Sequence, residues 1–177
     1  MPTPVAHTLA GWCIAAAPGV GIERSRGALA ALLVAANLPD IDYLALVGGR
    51  AAMEAHHQGF THSLGFVLAA ALPLALPLRR FVGPARAWVL AALAGASHLL
   101  FDLVSFDEKP PIGFPLFWPL SDGRYHAPWT LFPGIDRSSL DRIIGMRNLR
   151  ELAVELALLA PLVYLAWRRH RAPGAAP

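Results

Sequence analysis

Charged residues are scarce in this chain: Asp, Glu, Lys and Arg make up 15% of its 177 residues. Hydrophobic residues account for 55% and the mean hydropathy is +0.46, so too little polar surface is available for a soluble domain, and the composition is that of a small polytopic membrane protein. Cysteine is nearly missing. Cys13 stands alone in an apolar stretch, which excludes an internal disulfide and reads as inert packing. No basic stretch precedes the first apolar run, which argues against a cleaved signal peptide, and the segment is expected to remain in the mature protein. Internal repeats are absent, and low complexity is confined to residues 172–177, expected to be a disordered tail. The pI of about 9.6 invites a nucleic-acid reading, but no basic stripe is interleaved with aromatics, and nucleic acid is not an expected partner.

The arginines sit instead at the ends of apolar runs. A spanning helix needs about 17–25 mostly apolar residues, and five stretches come close: 5–22, 28–47, 62–78, 87–106 and 152–167. The expected fold is therefore all-α, a membrane bundle of about five helices forming one domain over residues 1–171. Arg24 and Arg26, then Arg79, Arg80 and Arg86, then Arg168, Arg169 and Arg171 all fall on one side of such a bundle, whereas the opposite short connection holds only Arg50. Positive charge marks the cytoplasmic side. The expected protein is thus multi-pass in a bacterial inner membrane, with its N-terminus outside and its C-terminus in the cytoplasm.

Three polar islands interrupt the apolar pattern: Asn37 to Asp42, His56 to Ser63, and Ser97 to Asp102. His98 and Asp102 are spaced i, i+4 and share one helix face. Asp40 and Asp42 follow Pro39, where the chain leaves α-helical geometry and both carboxylates can turn inward. His57 and His62 bracket a turn at Gly59, with Thr61 as a cap. With His7, all of these fall at the outer ends of their segments. Imidazole with carboxylate suits zinc first, with manganese or iron as alternatives. The candidate metal ligands are His7, Asp40, Asp42, His57, His62, His98 and Asp102, more than one ion needs. They suit two ions, or one ion with a general base and orienting carboxylates. An acid in mid-membrane costs about 2.5–3.5 kcal/mol on insertion scales, which a bound cation would offset.

Blander roles compete for some residues. Asn37 reads as a packing or supporting residue, His56 as a neighbour without a role, and His170 as part of the basic tail. The long outer connection, 107–151, is rich in aromatics and reads either as an interfacial belt or as a lid carrying Arg124 or His126 toward a substrate. Residues 138–150 have the pattern of an amphipathic surface helix.

The series His7, Leu38-Pro39-Asp40-Ile41-Asp42, His57-Gln58-Gly59-Phe60-Thr61-His62-Ser63, His98-Leu99-Leu100-Phe101-Asp102, then Gly113 with Phe117-Trp118-Pro119-Leu120-Ser121, resembles the bacterial membrane-bound metal-dependent hydrolases. Described members of that family include a LexA-regulated inner-membrane protein. The resemblance, over roughly residues 5–125, implies an inner-membrane enzyme with a divalent cofactor. The pattern also looks distantly like zinc-dependent phospholipase C, which would imply a phosphoester. One departure matters: the family usually has arginine where this chain has Gln58. The expected function is metal-assisted hydrolysis of an ester or phosphoester, of a lipid or lipid-linked substrate at the bilayer, with Asp40 or Asp42 as catalytic base. The alternative is a metal-binding or transport protein without hydrolase activity. Its transport form would need polar residues leading on to the cytoplasmic side, and those are few.

Overall fold

The computed structural model describes residues 1–22, 25–107, 110–136, 142 and 144–171. Its first helix, α1 (Pro4–Ala15), starts where Thr3 accepts from the Ala6 amide and proline occupies the first turn; a proline at N1 loses no bond that a helix would otherwise make. Pro18 ends it early, since the residue before proline is driven from helical geometry. Ser25 caps α2 (Arg26–Asn37) in the same way. At Pro39 the missing amide removes an i→i−4 bond, and the chain tightens into a 3-10 helix over Leu38–Gly48.

The short α3 (Arg50–His56) and a 3-10 turn (Phe60–His62) lead into α4 (Leu64–Leu74), α5 (Arg79–Val82), α6 (Pro84–Leu103) and α7 (Met146–Arg171). Ser63, rather than Thr61, caps α4, accepting from the Phe66 amide at 3.1 Å. Thr61 lies within the preceding turn, two residues too early. Among the described residues the fold is all-helical, with no strand beyond two isolated bridges, Ser105 to Phe132 and Phe114 to Tyr125.

Among the described residues, two helical stretches are long and apolar enough to cross a membrane, Arg26–Gly48 and Pro84–Leu103, of 23 and 20 residues. The other expected spans come out differently: α1 and α4 have 12 and 11 residues, shortened by their prolines. The 26-residue α7 carries Glu151 and Glu155 beside its apolar run. The tail 172–177 falls outside the described residues, as does Arg24; of the expected surface helix over 138–150, residues 138–141 and 143 fall outside them, and residues 146–150 open α7.

Helices α1, α2, α4 and α6 pack on one another around a core dominated by alanine, including Ala28, Ala31, Ala35, Ala71, Ala87, Ala91 and Ala94. Small residues let backbones approach closely: a Cβ on Gly95 would lie 2.7 Å from Val67 Cγ1. Larger apolar side chains point outward. Leu68 and Leu72 on α4, with Leu76 just past its end, form an exposed row, as do Val89, Leu93 and Leu100 along α6, the inverse of a soluble bundle and the arrangement a lipid environment favours. The alanine core fills one end of the bundle. At the other end meet the start of α1, the end of α2, the approach to α4 and the end of α6.

Candidate metal centre

Several chain segments bring polar groups to that end. Helix α6 presents His98 and Asp102 one turn apart; both are buried, as are His7 and His62. In the 3-10 helix each residue turns about 120°, so Asp40 and Asp42 diverge and reach opposite edges of one imidazole. His62 Nε2 lies 3.6 Å from Asp40 Oδ1, and His62 Nδ1 lies 3.2 Å from Asp42 Oδ2.

The outer nitrogens of His98 and His62 are anchored. His98 Nδ1 donates to the Ala36 carbonyl at 2.9 Å, and His62 Nδ1 faces Asp42. That leaves both Nε2 atoms as lone-pair donors turned to a common point. Each lies 3.4 Å from Asp102 Oδ2, and they lie 3.6 and 3.7 Å from Asp40 Oδ1. Four-coordinate zinc, with ligands at about 2.0–2.2 Å, spaces its donor atoms about 3.3–3.6 Å apart. These gaps are too long for good hydrogen bonds and fit a shared cation.

The hydrogen-bond balance leads to the same point. Among the described residues, seven buried side-chain atoms have no hydrogen-bond partner: both His7 nitrogens, Asp40 Oδ1, His62 Nε2, His98 Nε2 and both Asp102 oxygens. An unpartnered buried polar atom costs about 1–3 kcal/mol, and all seven belong to this one cluster. Two triads can each hold an ion, His62-His98-Asp102 and His7-Asp40-His98. His7 stacks on His98 with ring centroids 3.7 Å apart, and its Nε2 is 3.8 Å from Asp102 Oδ1.

Asp42 differs from the others because its oxygens are occupied. It takes His57 Nδ1 at 3.1 Å, the Gln58 amide at 3.0 Å and the Thr61 hydroxyl at 3.2 Å, besides His62. His57 stands one layer out, its ring 5.5 Å from that of His62, although Asp40, Asp42 and His57 form a third group able to hold an ion. All seven sequence candidates are thus gathered at one place. His56 is exposed and remote, and Asn37 ties α2 to α1 through Thr8 at 3.1 Å.

Two contributors were not legible beforehand. The Ala36 carbonyl acts through backbone alone, and no residue type marks it. Gln58 adopts a left-handed backbone (φ 55°), uncommon for a side chain other than glycine, which turns its amide onto Asp42. Its carbonyl accepts from Arg124 at 3.3 Å, and the same guanidinium reaches the Gly113 carbonyl. The outer connection therefore packs onto the histidine island: Leu64 donates to the Leu116 carbonyl at 2.9 Å, and the buried Phe114 ring lies 6.0 Å from that of His62. His126 is tied to the Ser105 carbonyl at 2.6 Å instead.

Buried imidazoles and carboxylates at one end of an all-helical bundle clad in apolar side chains define a membrane protein with a polar centre of metal-ligating residue types. The chain belongs to the YdjM inner membrane protein family, whose model matches residues 1–173. It is 35% identical over 132 residues to the inner membrane protein YbcI of Escherichia coli (strain K12), covering 73% of this chain and 74% of that protein. No solved structure matches the chain.

Proposed function

We propose that the protein is a membrane-bound hydrolase dependent on a divalent cation, zinc before manganese or iron, acting on an ester or phosphoester at the bilayer surface. The observation that carries the proposal is the set of seven unpartnered buried atoms in one cluster, an arrangement a bound cation would satisfy. In this reading His62, His98 and Asp102 hold the ion and leave a position for water, Asp40 stands beside that position, His7 serves a second ion, and Asp42 and His57 orient His62 from behind. A cation there supplies Lewis acidity that acidifies water and polarises a phosphoryl or acyl oxygen.

The chain's own groups divide the remaining work. With its oxygens engaged by four donors, Asp42 has no lone pair to spare for a proton. Asp40, whose side chain keeps 16% exposure where those of its neighbours in the cluster are sealed, is the carboxylate that takes a proton from water. The α4 approach and the outer connection exclude bulk solvent. Hydrolysis is favoured over transport because the described residues at the opposite end of the bundle form the alanine core, a cluster of apolar side chains.

The proposed topology is five crossings, with α1, α4 and α7 lengthened by adjoining turns, the N-terminus outside and the C-terminus cytoplasmic. The test is to purify the protein in detergent, determine metals by elemental analysis, and assay a chromogenic phosphodiester, phosphomonoester and carboxylic ester against Asp102→Ala. About one or two equivalents of metal and turnover, both lost in the variant, support the reading; full turnover by a metal-free variant sinks it.

A further inference from the structure

A cavity of about 380 Å³ opens beside the cluster and ends on His57 and Gln58. Arg50, Arg124, Arg142 and Arg147 line it. Basic residues are otherwise gathered at helix ends, so four guanidinium groups around one hollow call for a cause. Three carboxylates share the walls, Glu54, Asp107 and Asp136, and their distribution matters. Arg50 pairs with Glu54 at 3.1 Å. Arg142 and Arg147 share the single Asp136, at 3.1 and 3.9 Å. Asp136 is itself held in place, its amide donating to Asn148 Oδ1 at 2.7 Å and its carbonyl accepting from Asn148 Nδ2 at 2.8 Å.

Among the described residues Arg124 donates to two neutral acceptors, the carbonyls of Gln58 and Gly113, and Asp107 acts on it through space. Among the described side chains of the wall, four guanidinium groups thus face three carboxylates, with Arg142 and Arg147 sharing one of them and Arg124 standing next to Gln58. Met53, Phe106, Pro110, Pro111 and Ile135 make the rest of the surface apolar.

We propose that this cavity binds a phosphate group, with Arg124 as its inner anchor and Arg142 and Arg147 closing on it from the rim. Guanidinium groups match phosphate oxygens with paired donors, and a ligand so held is presented along the Arg124–Gln58–His57 wall toward the cluster. The proposal rests on the hydrolase reading for its purpose, and it narrows the substrate to a phosphate-bearing molecule with an apolar portion.

The experiment uses the full chain in dodecyl maltoside after metal removal with EDTA, so that phosphate cannot bind to metal. The protein is titrated calorimetrically with inorganic phosphate and, separately, with micelles containing phosphatidylglycerol. Saturable binding of either probe is expected, weakened about tenfold or more in Arg124→Gln and in the Arg142→Gln, Arg147→Gln pair, and unchanged in Arg150→Gln, which lies outside the cavity. Binding of free phosphate identifies a soluble source, and binding of the lipid micelles alone a headgroup; either supports the proposal when the arginine variants weaken it. Arg142 and Arg147 have side chains 66% and 53% exposed, so their replacement cannot unfold the core should Arg124→Gln do so. No saturable binding, or equal binding in the variants, overturns the proposal. Metal content before EDTA is read separately: metal without phosphate binding removes the cavity and keeps the metal reading, whereas phosphate binding without metal removes the hydrolase and keeps the cavity.

Discussion

Asp42 Oδ2 stands 3.2 Å from His62 Nδ1, behind the ring whose Nε2 faces Asp102 and Asp40. A carboxylate in that position fixes the tautomer and orientation of a metal-binding imidazole. Replacing Asp42 with Asn keeps the size and removes the charge. Zinc affinity, measured by competition with a chromophoric chelator, is expected to fall about 10- to 100-fold. Undiminished affinity would take Asp42 out of this role.

Binding to the folded chain should also raise its stability. At a zinc concentration about 100-fold above Kd the gain is about 2.7 kcal/mol, visible as a higher Tm in detergent. His98→Ala and Asp102→Ala should lose that rise, since each removes a group from the triad His62-His98-Asp102. Equal shifts in the parent and both variants would locate the effect elsewhere.

Close packing of α4 on α6 sets the distance between His62 and His98. A methyl group added at Gly95 would meet Val67 Cγ1 at 2.7 Å, and overpacking of this kind costs about 1–3 kcal/mol. Gly95→Ala is expected to lower the Tm and to reduce metal retention together, because α6, which carries His98, is pushed away from α4, which directly follows the turn that holds His62. A lower Tm with full metal content would separate the packing from the site.

Glu155 is buried in α7 and receives the Thr3 amide at 3.0 and 3.1 Å and the Thr3 hydroxyl at 2.5 Å. It therefore secures the start of α1, the helix that carries His7. Glu155→Ala leaves those donors without a partner and should destabilise the protein by about 1–3 kcal/mol, read from thermal unfolding in detergent; Glu155→Gln, which keeps an acceptor, should cost less. An unchanged Tm in Glu155→Ala would show that water replaces the carboxylate.

Much of this was written in residue type and spacing. The apolar runs and low charge determined a helical membrane protein, because only such a chain exposes leucine rows like Leu68-Leu72-Leu76. The i, i+4 spacing of His98 and Asp102 determined their common face. Pro39 determined the break in α2 that frees Asp40 and Asp42. Each is a local consequence of backbone geometry, which sequence states directly.

Tertiary structure alone decided how those groups share the work. Asp40 and Asp42 are indistinguishable as residues; the 120° turn of the 3-10 helix sends one to Nε2 and the other to Nδ1 of His62, and only packing brings His62 between them. The Ala36 carbonyl that holds His98, the left-handed backbone at Gln58 and the placing of Arg124 beside it are long-range contacts made by atoms that every residue or many arginines possess. Sequence can name the donors, but which lone pair each one leaves free depends on the neighbours that the fold supplies.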